Sequence, residues 1–181
     1  MSSDAREVQR VLLAQVGDRE AFDALLREIQ VPLFRYLTRL TGRAEEAEDL
    51  VQDVFLLLYR RLRSLREPEL FRPWMYRIAT RAALRRVSKR SREAERLEEY
   101  QQHFDREAAT PQPPPDREWI EGLLNVLSPN CRTVIVLHFL EELPLQNVAA
   151  VLGIPLGTVK SRLAYALHTL RTGPAPEGKQ S

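Results

Sequence analysis

Apolar residues recur at helical intervals along most of the chain. Val8, Val11 and Leu12 open the series, Phe22, Leu25, Leu26 and Ile29 follow, and Leu33, Phe34, Leu37 and Leu40 continue it. Spacings of three and four residues put such side chains on one side of an α-helix. Gly17-Asp18 breaks the first pair of stretches, and Asp18 is placed to cap the next helix with its side-chain oxygen. Pro32 is expected to kink or restart the chain, and Thr41-Gly42 to turn it. Ala44 to about Ser64 then carries Ala47, Leu50, Val51, Val54, Phe55, Leu58 and Leu62 as a buried stripe. Asp49, Gln52, Asp53, Leu56 and Arg60 share the outward side of this helix. Two carboxylates four residues apart suggest metal ligands, yet no His or further acid lies at matching spacing. The face reads either as solvated or as partner-binding, and an exposed Leu56 and Leu57 weigh toward the second.

A polar connection, RSLREPEL at 63–70, leads into FRPWMYRIATRAALRRVSKRSR. Trp74, Met75, Ile78, Ala82 and Val87 or Leu84 are available there for packing, among eight bases and no acid between residues 71 and 92. No helix needs so many bases to stay soluble. Aromatics among arginines suit phosphate neutralisation and stacking on unpaired bases. The competing reading makes Trp74 and Tyr76 core anchors, and for Trp74 it is the stronger of the two.

From Glu93 to Pro115 the chain turns acidic, Gln-containing and finally TPQPPP, which lacks a helical period and buries little. A flexible linker between two domains is expected there. Asp116 is placed to cap a helix to Leu127, Ser128-Pro129 starts another, and Val134 to Leu140 is apolar nearly all round and expected to be buried. The last helical stretch, LPLQNVAAVLGIPLGTVKSRLAYALHTLR, divides at Gly153, with Pro155 opening the second half. Leu145, Val148, Ala149 and Leu152 form one apolar side; Val159, Leu163, Ala166, Leu167 and Leu170 form the next. Thr158, Ser161, Arg162 and Tyr165 fall opposite. This is the layout of a helix-turn-helix, whose second helix enters the major groove of DNA. Helical hairpins also occur in proteins that never meet DNA. The absence of any acid between Glu142 and Glu177 favours a surface that meets phosphates.

With 181 residues the chain has room for two small helical domains, and few β-branched runs and only 7 Gly favour an all-α fold. The net charge of +2 hides block asymmetry, since residues 43–53 carry five acids and one base directly before the basic stretch. Separate protein-facing and nucleic-acid-facing surfaces follow. The single cysteine, Cys131, reads as core packing, and the three histidines lie too far apart in sequence for a zinc site. The start of the chain has no apolar signal region and no stretch matches a membrane span, so a cytoplasmic protein with no membrane insertion is expected.

With both motifs in view, the chain resembles a bacterial RNA polymerase sigma factor of the extracytoplasmic-function (ECF) group. AEDLVQDVFLLLYRRL (Ala47 to Leu62) is similar to the core-polymerase-binding helix of that family. FRPWMYRIATRAAL (Phe71 to Leu84) is similar to its downstream promoter segment, and LSPNCRTVIVLHFLEELPLQNVAAVLGIPLGTVKSRL to its second conserved domain. The resemblance implies an all-α protein of two domains: residues 1–92 binding core polymerase and the −10 element, and residues 116–172 reading the −35 element. A linker at 93–115 joins them and a disordered tail at 173–181 follows. It further implies that Asp49, Gln52, Asp53 and Leu56 contact the clamp of the largest polymerase subunit. Arg72, Trp74, Arg77, Arg81 and Arg85 would serve the −10 element, including unpaired bases. Thr158, Lys160, Ser161, Arg162 and Tyr165 would serve the −35 element as double-stranded DNA. Partners would be core RNA polymerase, promoter DNA and an anti-sigma factor, with no cofactor, no metal and no catalysis by the chain itself.

The chain departs from the family at several positions. Arg81 stands where relatives commonly have Asn, Pro144 replaces a usual Ser, Gln146-Asn147 replace an acidic pair, and Tyr165 and Leu167 stand where Arg is common. Residues 117–172 hold only five bases against four acids. The rival reading is a stand-alone helix-turn-helix regulator with a sensing or dimerisation domain, which leaves the basic segment without a purpose; a protein-only adaptor leaves the arginines unused. An enzyme finds no nucleophile with a base, no phosphate loop and no metal cluster in the sequence. With so few phosphate contacts, each worth about 0.9 in the salt slope, the −35 reading should be weak without polymerase. The free chain is therefore expected to bind promoter duplex far more weakly than the holoenzyme in a filter-binding titration. Equal affinities would contradict this.

Overall fold

A computed structural model describes residues 3–100, 122 and 124–172, and every described element is helical. The order is α1 (Ser3–Gln15), α2 (Arg19–Thr41), α3 (Ala44–Arg61), two 3-10 turns (Leu62–Ser64 and Pro68–Leu70) and α4 (Phe71–Tyr100). After the undescribed stretch come α5 (Pro129–Ile135) with a π turn at Val136–Leu140, α6 (Leu145–Leu152) and α7 (Leu156–Thr172). The expected helix from Asp116 begins outside the described residues, and residues 122, 124 and 125 are helical. Helix α4 runs past residue 92 to Tyr100, so the first part of the expected linker has helical backbone; the remainder, and the tail from 173, lie outside the described residues.

Local chemistry sets most of the boundaries. Asp18 caps α2 by accepting from the Ala21 N–H at 3.0 Å. The helix ends where Gly42 takes φ 72° and its N–H reaches the Thr38 carbonyl at 2.8 Å. Pro32 does not restart the chain: it lies inside α2, which runs unbroken for 23 residues. An interior proline costs about 3 kcal/mol. Ile29, Leu33, Tyr36 and Leu37, all at most 1% exposed, offset that, since burying each large apolar side chain contributes about 1.5–3 kcal/mol. Glu45 and Glu46 in the first turn of α3 and Arg60 and Arg61 in its last turn complement its dipole.

Helices α2, α3 and α4 pack on one another, with α1 against α2. Phe71, Met75, Ala79 and Ala83 of α4 are fully buried, and Tyr76 nearly so. The small Ala79 and Ala83 let α4 approach its neighbours closely. Tyr36 and Tyr76 meet edge to face at 4.9 Å, and the Tyr36 hydroxyl bonds the Thr80 hydroxyl at 2.6 Å. Gln15 donates to the Leu62 and Leu65 carbonyls at 2.9 and 2.7 Å, tying the 3-10 turns to α1 and fixing where α4 begins.

In the C-terminal bundle, Ser128 caps α5 through the Cys131 N–H, and Cys131 is buried. Helix α5 packs on α7, and α6 on both α7 and α4. Gly153 ends α6 at φ 67° and the chain turns directly into α7. Burial was expected through Leu140 but stops at Leu137, and Phe139 is 52% exposed. The π turn explains this: the Glu141 N–H reaches back five residues to the Val136 carbonyl, and the widened turn rotates Phe139 away from the core. Leu167 also departs from its expected place in the apolar stripe of α7, at 38% exposed. Val159, Leu163, Ala166 and Leu170 keep closer to the 3.6-residue period and leave Leu167 on the rim.

Leu37→Ala should lower stability by about 2–5 kcal/mol in urea unfolding, because the residue is wholly enclosed. Leu56→Ala, exposed on α3, should stay within about 0.5 kcal/mol of the parent.

Candidate nucleic-acid and partner interfaces

The outer face of α3 is formed by what the core does not use. Asp49, Gln52 and Asp53 are exposed and Leu56 is 55% exposed, one face below another along the helix. Asp49 lies 4.0 Å from Arg86 of α4, a loose exposed pair that leaves the carboxylate open to a partner. Leu57, expected to be exposed, is half-buried and lines an open groove between α3 and α4. Asp53, Leu56 and Arg60 line the same side of this groove, about 410 Å³ in volume, with Arg85, Arg86 and Lys89 on the other. The groove thus brings part of the expected polymerase face together with part of the expected DNA face. Tyr59, 67% exposed and edge-on to Phe22 at 5.5 Å, adds an aromatic to the apolar spot made by Leu56. The sequence reading passed over it, although its place three residues after Leu56 was the available signal.

The eight bases of α4 do different jobs. Near its end, Arg90 donates to both oxygens of Glu46 at 3.1 Å and to the Thr41 carbonyl at 3.1 Å, fastening α4 to the α2–α3 corner. At its start, Arg72 pairs with Glu7 at 2.7 Å and Glu28 at 3.7 Å. Burial disfavours the Arg72 cation, yet Glu7, then Tyr76 and Glu28, outweigh it and keep its pKa raised. Arg72 is therefore committed to joining α4 to α1 and α2. Between these ends, Arg77, Arg81 and Arg85 follow one another at four-residue intervals, with Arg81 and Arg85 exposed and Arg77 half-buried. No ion pair among the described residues involves these three. Trp74 is half-buried, its ring 6.3 Å from Phe71, and with Arg77 it lines a second groove of about 330 Å³ bounded by Leu70 and Pro73. Tyr76 is a core anchor, as the rival reading of the aromatics had it.

On α7, Lys160, Ser161 and Tyr165 are exposed and Thr158 and Arg162 half-buried, so the helix presents its polar side outward. The Ser161 hydroxyl donates to the Gly157 carbonyl at 3.0 Å, which leaves its lone pairs, rather than its proton, for a base edge. Among the described residues no three His, Cys, Asp or Glu side chains form a group able to hold a metal, and no helix is long and apolar enough to cross a membrane.

Residues 25–93 match the family described as Sigma-70 region 2, and residues 123–172 match Sigma-70, region 4. The RNA polymerase sigma-H factor of Pseudomonas aeruginosa is 30% identical over 182 residues, covering 94% of this chain and 94% of that protein. The ECF RNA polymerase sigma factor SigE of Mycolicibacterium smegmatis is 32% identical over 86% of this chain, which spans 63% of that relative's length. Among solved structures, the sigma factor RpoE of Bartonella quintana, crystallised with the anti-sigma factor NepR, superposes with a TM-score of 0.68 at 25% identity, covering 83% of this chain and 94% of that one. The chain belongs to the extracytoplasmic-function sigma factors.

As a sigma factor, it directs RNA polymerase in transcription initiation. Its region 2 match contains both the acidic outer face of α3 and the basic middle of α4, and its region 4 match contains the helix-turn-helix. Membership also removes the reading as a stand-alone regulator.

Arg72→Ala strips the partner from Glu7, which is only 9% exposed. A loss of about 1–3 kcal/mol in urea unfolding is the expected result. An unchanged midpoint would show that Arg72 is free of this structural task.

Proposed function

We propose that this sigma factor divides its work among three faces. Asp49, Gln52, Asp53 and Leu56, with Tyr59 beside them, bind the clamp of the largest subunit of core RNA polymerase. Trp74, Arg77, Arg81 and Arg85 serve the −10 element as its strands separate, and Arg72 supports them by positioning the start of α4. Thr158, Lys160, Ser161, Arg162 and Tyr165 face the −35 element as duplex. Residues 1–92, with α4 extended to Tyr100, form the polymerase and −10 unit, residues 93–115 connect, residues 116–172 form the −35 unit, and 173–181 form the tail.

The observation that carries this reading is the division of labour among the bases of α4. Arg72 and Arg90 are ion-paired at the ends, while Arg77, Arg81 and Arg85 stand at four-residue intervals on exposed or half-exposed ground. A row of cations without ion-pair partners among the described residues suits phosphate contact, and Trp74 adjoining it suits an unstacked base. Binding the separated strands more tightly than the duplex favours melting, so the protein needs no catalytic group, and nucleotide addition stays with the polymerase. Work on the polymerase supports a cytoplasmic location. The solved RpoE complex supports an anti-sigma factor as a further partner.

In vitro transcription with purified core polymerase over a genomic promoter library tests the proposal. Promoter-specific transcripts should require the added chain. Asp49→Ala/Asp53→Ala should abolish them by loss of core binding. Arg81→Ala should keep core binding and lower the salt slope of promoter binding by about 0.7–0.9 for a lost phosphate contact. Core binding undiminished by the aspartate pair would refute the assignment of the α3 face.

A further inference from the structure

Helix α1 precedes the span that matches region 2, yet it grips both ends of the connection between α3 and α4. Glu7, Val11 and Gln15 recur every four residues and so share one face of α1, spanning about 12 Å. Val11, in the middle, is fully buried, and α1 touches both 3-10 turns of the connection. Glu7 holds Arg72 in the first turn of α4 at 2.7 Å. At the other end the Gln15 amide donates to the Leu62 carbonyl at 2.9 Å and to the Leu65 carbonyl at 2.7 Å. The two N–H groups of a side-chain amide suit two carbonyls three residues apart, a pairing that a carboxylate of the same shape cannot make. Within the connection, the Leu65 N–H closes one turn on the Leu62 carbonyl and the Leu70 N–H closes the other on the Glu67 carbonyl. Between the turns the backbone is extended, with Leu65 at ψ 111° and Glu67 at ψ 94°, so its path is set by what grips it. Leu65 and Leu70 in turn line the groove that holds Trp74 and Arg77.

We infer that Gln15 is a positioning residue for promoter reading, and that α1 is a splint fixing the wall of the Trp74 groove. The inference rests on the proposed assignment of Trp74 and Arg77 to the −10 element. In this role Gln15 touches no DNA. By holding the Leu65 backbone it sets where Leu65 stands across from Trp74, and hence the shape offered to an unpaired base. Choosing one base over another requires such a wall to be held within a fraction of an ångström by a supporting shell of hydrogen bonds. Glu7 does the same for the far end of the connection, through Arg72. Core binding, assigned to the outer face of α3, does not pass through this connection. Loosening the splint should therefore spare polymerase affinity and blunt the choice of strand.

The test uses holoenzyme assembled from purified core polymerase and the full chain, with two readouts. One is affinity for core polymerase. The other is preference for a single strand carrying the −10 element of a promoter that the holoenzyme transcribes, over a scrambled strand of the same composition. Gln15→Glu keeps the shape and loses the donors; Gln15→Met keeps the length and loses all polarity at the tip. Both should bind core within about twofold of the parent and lose about tenfold or more in strand preference. Gln15→Lys keeps donors for both carbonyls and should hold the preference within about threefold of the parent. A merely structural role would lower core affinity and melting temperature in step with strand preference, and that result would overturn the inference. Unchanged preference in both Gln15→Glu and Gln15→Met would overturn it too. Trp74→Ala checks the underlying assignment separately. Preference kept in Trp74→Ala but lost in the Gln15 variants leaves the splint standing and removes Trp74 from the −10 site.

Discussion

One helix, α4, has to satisfy two incompatible environments at once, and the rest of the N-terminal bundle follows from how it does so. One stripe of it, Phe71, Met75, Tyr76, Ala79, Thr80 and Ala83, is buried against α2 and α3. The remaining surface carries all eight bases of residues 71–92. A helix so charged gains nothing from burying its cations, because desolvating an unpaired charge costs several kcal/mol. It therefore fastens Arg72 and Arg90 to acids of neighbouring helices, pairs Arg86 and Lys89 loosely with Asp49 and Glu93, and leaves Arg77, Arg81 and Arg85 to water. The small residues Ala79 and Ala83 let α4 pack close, which brings Arg85, Arg86 and Lys89 beside Asp53 and Leu56 of the outer face of α3. On the proposed assignment, polymerase binding and promoter binding sit on adjoining helices of one packed unit, so that seating one positions the other.

The C-terminal bundle solves a smaller version of the same problem. Helix α7 buries Val159 and Ala166, and its polar side faces outward, held by the Gly153 turn. With five bases against four acids in residues 117–172, this bundle lacks the charge to hold duplex strongly alone. On the proposed assignment, attachment to polymerase through the N-terminal bundle would supply an effective concentration instead of further contacts. That arrangement suits a dissociable initiation subunit, because DNA reading becomes conditional on the enzyme that will use it.

Features set by local chemistry were legible in the sequence. Asp18, Gly42, Ser128 and Gly153 mark boundaries because a cap or a positive φ is satisfied within a few residues. The buried stripe of α3 was legible for the same reason, since period alone decides which side faces in. What escaped depends on partners far away in sequence. Pro32 was expected to kink or restart the chain, and tertiary burial carries the helix through it. Leu57 was expected in solvent but is half-buried in the groove between α3 and α4. Phe139 was assigned to the core until a π turn swung it out. Arg72 looked like its fellow arginines until Glu7, 65 positions earlier, claimed it. Gln15 carried no signal at all, because its partners, the Leu62 and Leu65 carbonyls, lie 47 and 50 positions further on.

The central claim is spatial: the acidic outer face of α3 meets polymerase while the polar face of α7 meets duplex. The most direct measurement places a photo-crosslinking amino acid at position 56 in one protein and at position 160 in another, each assembled with core polymerase on a promoter. Position 56 is predicted to crosslink to the largest polymerase subunit, and position 160 to DNA upstream of the melted region. A crosslink from position 56 to DNA in place of protein, or from position 160 to polymerase alone, would contradict the account.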